Sequence, residues 1–199
     1  MGRNKAYQRD DVLEKAMQLF WLHGYDGVST HMLVDEMRIN RKSVYAEFGG
    51  KQKLYHAALD RYLNHEVPKR FVALNADGTG LQQVFETLER FAGAVGQMGT
   101  ERGCLLCNAA AETAHHDPVT RRFVDDYFGL IKSSFATAFR AAVNKGELPI
   151  EFETEKWSAS LATTLIGMFV MIRSRMDGVI LRAAADLAIA QLTDISEKT

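Results

Sequence analysis

Cysteine, proline and tryptophan are all scarce in this chain: two, three and two copies in 199 residues. Two cysteines, close together at Cys104 and Cys107, cannot staple a small secreted scaffold; they suggest the reducing cytoplasm rather than a structural disulfide. So few prolines leave long stretches open to continuous helix. Long apolar runs are missing as well. The longest, residues 161–172, is too short to span a bilayer and is flanked by Glu155, Lys156, Arg173 and Arg175, so a buried helix and no membrane partner are expected. The opening MGRNKAYQRDD lacks the apolar centre of a signal peptide. No glycine-rich phosphate loop follows a strand and no GxSxG elbow is present, which argues against an enzyme and against a cofactor. His115-His116-Asp117 reads as a polar patch between helices rather than an acid–base site. Charge excess is absent too, since 24 Lys+Arg against 25 Asp+Glu leaves a net −1.

What is present is helical periodicity. Hydrophobic residues make up 47% of the chain, and almost every apolar cluster repeats at three or four positions rather than two, which predicts an all-α protein. The charge is unevenly spread. Residues 1–70 carry 12 Lys+Arg against 9 Asp+Glu, and residues 71–199 carry 12 against 16. A mildly basic first third on an acidic remainder suits a DNA-binding head on a different kind of body.

The chain is organised around residues 28–48, VSTHMLVDEMRINRKSVYAEF. Ser29 or Thr30 can cap a short helix whose apolar face is Met32, Leu33 and Met37. Arg38-Ile39-Asn40 forms a turn, with Ile39 as its apolar plug and Asn40 as the next cap. A second short helix then places Val44, Tyr45 and Phe48 inward and Arg41, Lys42, Ser43 and Glu47 outward. Two short helices about four residues apart, the second presenting basic and hydroxyl groups, form a helix-turn-helix for the DNA major groove.

The flanks extend the pattern. Val12-Leu13, Ala16-Met17 and Leu19-Phe20 mark an amphipathic helix that stops at His23-Gly24-Tyr25; Gly49-Gly50-Lys51 breaks the chain before a fourth helix. This run resembles the TetR family of transcriptional repressors: Leu19-Phe20, His23-Gly24-Tyr25, Val28-Ser29-Thr30, Tyr45 with Phe48, and Gly50-Lys51 fall at that family's spacing. Two departures stand out. Arg38 replaces the family's usual Gly in the turn, and Arg41-Lys42-Ser43-Val44 replaces Lys-Gly-Thr-Leu, which suggests an individual operator. The resemblance implies a helix-turn-helix head over residues 1–50 and a ligand-binding, dimerising body over 51–199. It further implies a repressor that binds double-stranded, palindromic operator DNA and is released by a small-molecule inducer of unknown identity. It also implies a fourth helix that moves with ligand. The competing classes are a helical interaction protein that has lost DNA binding and a small helical enzyme.

The remaining elements follow in order. A basic arm over residues 2–9 precedes the first helix, which Asp10 or Asp11 can open. The fourth helix runs from Lys51 to about Leu63 and stops before Pro68. Residues 75–80 form a turn cluster. A helix from Leu81 through Leu88 and Phe91 to Val95 ends at Gly96 or Gly99. Asp117 caps a long helix with Pro118 in its first turn, stopping at Lys145-Gly146. Two more helices cover about residues 154–175 and 179–195. The first is apolar nearly all round, and the second carries Ala183, Ala184, Ala185, Ala188 and Ala190. That surplus suits a homodimer interface built as a four-helix bundle, which is how the family pairs; a monomeric core is the plainer alternative.

At the DNA end, Arg41, Lys42 and Ser43 are the candidate base readers, because Arg and Lys reach guanine O6 and N7. Thr30, His31, Tyr45 and Lys51 are candidate phosphate contacts, with Lys51 at a helix N-terminus; Tyr45 as partly core and Lys42 as merely solvated are the plain alternatives. The ligand pocket implied by the resemblance would be lined by Phe85, Leu88, Phe91, Tyr127, Ile131, Phe135, Trp157, Leu161, Leu165 and Met168, most of which also suit a simple core. Cys104 and Cys107 stay open. A structural metal lacks further ligands beyond His115 and His116. A packing role is ordinary for small residues. Some TetR-family members sense electrophiles, oxidants or metal ions near a similar Gly-Cys-Leu run, and a helix N-terminus and Arg102 beside Cys104 would lower its pKa.

Overall fold

The first helix is held at one end by charge and broken at the other by glycine. In the computed structural model, which describes residues 9–94 and 102–199, α1 spans Arg9–Gly27 and opens with Asp10 and Asp11 at its positive dipole end. Val12, Leu13, Ala16, Met17 and Phe20 are buried along one face. At Gly24 the backbone turns left-handed, φ 74°, before a last short turn. The stop expected at His23-Gly24-Tyr25 is therefore a break within the element.

Next, α2 (Thr30–Met37) is capped by Ser29, whose Oγ accepts from the Met32 amide at 3.1 Å. Its neighbour α3 (Arg41–Phe48) is capped by Asn40, whose Oδ1 accepts from the Ser43 amide at 2.9 Å. Between them Ile39 is buried as the plug, and Arg38 closes α2 in the left-handed region at φ 55°. That conformation suits glycine and strains a residue with a Cβ. Val44 and Phe48 point inward as expected, but Tyr45 does not: it is 51% exposed. One residue past Val44 turns the side chain by about 100° and carries it off the buried stripe.

The next element corrects a second expectation. Helix α4 (Lys51–Arg61) does not stop before Pro68; it widens into a π-helical turn, Tyr62–Glu66, and continues as α5 (Val67–Phe71). The Val67 amide reaches back five residues to the Tyr62 carbonyl, so Pro68, at the start of a new helical segment, has no ladder bond to supply. A 3₁₀ turn, Val72–Asn75, leads to α6 (Leu81–Ala92), which ends at Gly93. The end expected at Gly96 or Gly99, and most of the arm expected at residues 2–9, lie outside the described residues. Then follow α7 (Leu105–Glu112), α8 (Pro118–Asn144), α9 (Thr154–Arg173) and α10 (Gly178–Ser196). Among the described residues there is no strand.

The three-helix head rests on the rest of the chain through α1, which packs against α4 and α7. Arg61 on α4 pairs with Glu14 on α1 at 2.9 Å. The long α8 packs against α7 and α9, and α10 lies against α6 and α9. Asp117 caps α8 by accepting from the Val119 amide at 3.0 Å, and its other oxygen meets His56 of α4 at 2.5 Å. Burial disfavours the Asp117 carboxylate, but hydrogen bonds from His56, Thr120 and the Val119 amide overcome it and hold the pKa at about 2. No helix among the described residues is long and apolar enough to cross a membrane.

Candidate nucleic-acid interface and buried sulfur site

Asn40 sets the direction of α3 by capping it, and the first turn then carries Arg41, Lys42 and Ser43 just ahead of the buried Val44. Arg41 and Lys42 are exposed and Ser43 is half-buried. The Arg41 guanidinium lies 5.8 Å from the Tyr45 ring, one helical turn on, so the two form one exposed cationic and aromatic surface. Thr30 and His31 stand at the start of α2, where His31 meets Asp35 at 2.8 Å across one turn. Lys51 is the first residue of α4, and its Nζ sits 4.2 Å from the centre of the Tyr25 ring. Gly50 allows Tyr45 to pack close, since a Cβ there would lie 3.2 Å from the Tyr45 ring. Arg9 reaches Glu47 at 3.5 Å and lies over the Phe48 ring, tying α1 to α3.

The body residues singled out from sequence are largely interior. Leu88, Phe91, Tyr127, Ile131, Phe135, Leu161, Leu165 and Met168 are buried, while Phe85 and Trp157 are half-buried against the same core. They do not form one tight group of rings: Phe91 meets Phe169 at 5.2 Å, whereas Trp157 stacks on Phe152.

Cys104 is the N-cap of α7 and is wholly buried, and Cys107 lies one turn on; both are reduced thiols. The Cys104 sulfur is 3.1 Å from the Tyr127 hydroxyl. Nearby, the buried Tyr62 hydroxyl finds no hydrogen-bond partner of ordinary geometry among the described residues. Burial works against a Cys104 thiolate, but a hydrogen bond from the Cys107 thiol, the positive charge of Arg70 and the Tyr127 and Tyr62 hydroxyls outweigh it, and its pKa falls to about 6. Cys107 moves the other way, pushed up by its hydrogen bond to Cys104 and by burial.

The cation responsible is not the one that chain proximity pointed to. Arg102 lies over the Trp21 ring and bonds to Gln18 of α1, whereas Arg70 sits among Trp21, Tyr62 and Phe169, 5.3–5.9 Å from each ring centre. Nothing in the spacing links Arg70 and Tyr62 to Cys104; the packing of both α5 and α7 against α8 brings them together. His115 and His116 bond to each other at 3.0 Å on the surface, and no three metal-binding side chains cluster among the described residues.

With this geometry the comparisons agree. Residues 12–58 match the family described as "Bacterial regulatory proteins, tetR family", and residues 80–188 match the "Tetracyclin repressor-like, C-terminal domain". The chain belongs to the TetR family, and it is a ligand-responsive, DNA-binding regulator of transcription rather than an enzyme. It is 28% identical over 148 residues to YezE, an uncharacterized HTH-type transcriptional regulator of Bacillus subtilis, covering 74% of this chain and 76% of that one. It is 33% identical over 108 residues to the HTH-type transcriptional repressor ComR of Escherichia coli, covering 54% and 51%. In structure it is similar to the TetR family transcriptional regulator CifR, solved as a cysteine mutant complexed with 26-bp double-strand operator DNA. That likeness has a TM-score of 0.83 and 29% identity, covering 94% of this chain and 98% of that one.

Proposed function

We propose that this protein is a repressor that binds a palindromic operator as a homodimer, in the cytoplasm, and is released by a reactive small molecule. In this reading residues 1–50 are the DNA-binding head, and residues 51–199 hold the inducer and the partner. Arg41, Lys42 and Ser43 read base edges in the major groove, while Thr30, His31, Tyr45 and Lys51 hold the phosphates. The observation that carries the reading is the doubly capped α2–turn–α3 unit, which leaves Arg41 and Lys42 exposed on a helix whose other face is core. CifR, the relative above, is complexed with operator DNA.

Pairing is supported by the apolar surface left on the last two helices: Val170, Val179, Ile180 and Leu187 are 53%, 71%, 42% and 62% exposed. A second copy related by a two-fold axis would cover the same patch on both chains and set two recognition helices for two half-sites.

For the inducer, support comes from the Cys104 environment. A thiolate with a pKa of about 6 is mostly ionised at neutral pH and adds to the electrophilic carbon of a quinone or unsaturated aldehyde. A sulfur–carbon bond forms, the electron pair moves into the conjugated carbonyl, and water supplies the proton. Inducer bulk would then lie in the body core beside Tyr127, among the residues from Phe85 to Met168 named above. The Gly103 carbonyl accepts from Trp21 Nε1 at 3.3 Å, so α7 already touches the head where it carries Cys104. A mobility-shift assay on DNA flanking the protein's own gene tests the reading. A shifted band that a quinone abolishes supports it; no shift with any flanking fragment rejects it.

A further inference from the structure

Helix α7 meets the head at its far end too. Its last residue, Glu112, turns its carboxylate onto the break in α1, where Oε2 accepts from the Tyr25 amide at 2.8 Å. The fit is close. A Cβ on Gly24 would lie 2.5 Å from Glu112 Oε1, and Gly24 stands at φ +74°. The glycine of His23-Gly24-Tyr25 therefore serves two purposes: it permits the left-handed backbone, and it leaves room for a carboxylate from the body.

Tyr25 is the residue this contact holds. Its ring packs against Tyr55 at 4.9 Å and Phe20 at 6.3 Å, and its face receives the Lys51 ammonium at 4.2 Å. Gly50, just before Lys51, supports the Tyr45 ring. One line of contacts thus runs from Glu112 in the body, through the Tyr25 backbone and ring, to the cation at the start of α4.

We propose that Glu112 is a positioning residue for DNA binding: by fixing Tyr25 it sets where Lys51 presents its charge to a DNA phosphate. This rests on the reading of Lys51 as a phosphate contact. The partner is the sugar-phosphate backbone, so the effect is independent of base sequence. It also gives the body a direct hold on the head through α1, separate from the continuous helix of α4 and α5.

The test uses the full-length protein and a duplex that the wild type selects from a random-sequence pool, with binding followed by fluorescence anisotropy over a range of salt. Glu112→Ala is expected to weaken binding about three- to tenfold, the range of one ordinary hydrogen bond. The slope of log affinity against log salt should become shallower by up to about 0.9, the share of one phosphate. Glu112→Gln keeps an acceptor for the Tyr25 amide and should restore most of the affinity. Tyr25→Leu keeps the backbone bond and removes the ring, so it should lose affinity as Glu112→Ala does, even if that variant folds poorly. The double variant Glu112→Ala with Lys51→Ala should bind no worse than Lys51→Ala alone. Wild-type affinity in Glu112→Ala or in Tyr25→Leu, or losses that multiply in the double variant, overturns the proposal. Wild-type affinity in Lys51→Ala overturns the phosphate reading itself and the relay with it, and the two failures are told apart by the single variants.

Discussion

Replacing Arg70 by Met removes the positive charge beside Cys104 while keeping an unbranched apolar side chain among Trp21, Tyr62 and Phe169. The Cys104 pKa is about 6 although its sulfur is wholly buried, and Arg70 is the cation acting against burial. A nearby opposite charge lowers a pKa by about 1–3 units, so its loss should raise the Cys104 midpoint by about that much. At pH 7 the thiolate fraction then falls from about nine-tenths to about one-half or less. The same linkage acts on stability. A thiol whose folded pKa lies below its unfolded value near 8.5 contributes stability that is complete above that value and fades as pH drops through about 6. The assay is the rate of Cys104 alkylation against pH, read by mass spectrometry in wild type and Arg70→Met. Access to the buried sulfur scales both curves, so the midpoint is the quantity compared. An unchanged midpoint would refute the assignment of Arg70 as the counter-charge.

Val170→Asp is expected to convert the dimer to monomer: a half-exposed valine leaves about 1 kcal/mol of burial per chain to the partner, and a buried carboxylate costs several kcal/mol. Sedimentation checks it, and a dimeric variant would move the interface elsewhere. Asp117→Ala should lower stability by about 1–2 kcal/mol through loss of the α8 cap. Because the Asp117 carboxyl is held at about 2, that difference should be full above pH ~4 and vanish as pH falls through about 2, which acid unfolding of the two proteins measures. Arg38→Gly should raise the unfolding free energy by about 1 kcal/mol in denaturant titration, since it relieves a left-handed backbone at φ 55°.

The head was legible in the sequence because its signals are local. Ser29 and Asn40 sit one residue before their helices, and Ile39 is the apolar residue in a polar turn. Asp117-Pro118 announces a capped helix in the same way. Tyr45 was misplaced because an aromatic residue in an eight-residue helix fits either face, and only the direction of Val44 decides. Pro68 misled because a proline normally ends a helix; the π-helical turn before it depends on how Tyr62 and Val67 pack. The counter-charge of Cys104 was hidden for a different reason. Arg102 is its neighbour in the chain, Arg70 its neighbour in space, and the latter is created by three elements meeting. Glu112 was equally silent, since an acidic residue at the end of a short helix has no pattern that names Tyr25 as its partner.

The central claim is that α3 reads DNA. Arg41→Ala and Lys42→Ala, each measured against the selected duplex and against its single-base variants, test it most directly. The expected result is a loss of about 1–3 kcal/mol for a residue that reads a base, with discrimination relaxed at one position of each half-site and retained elsewhere. Unchanged affinity and unchanged base preference in both variants would contradict it.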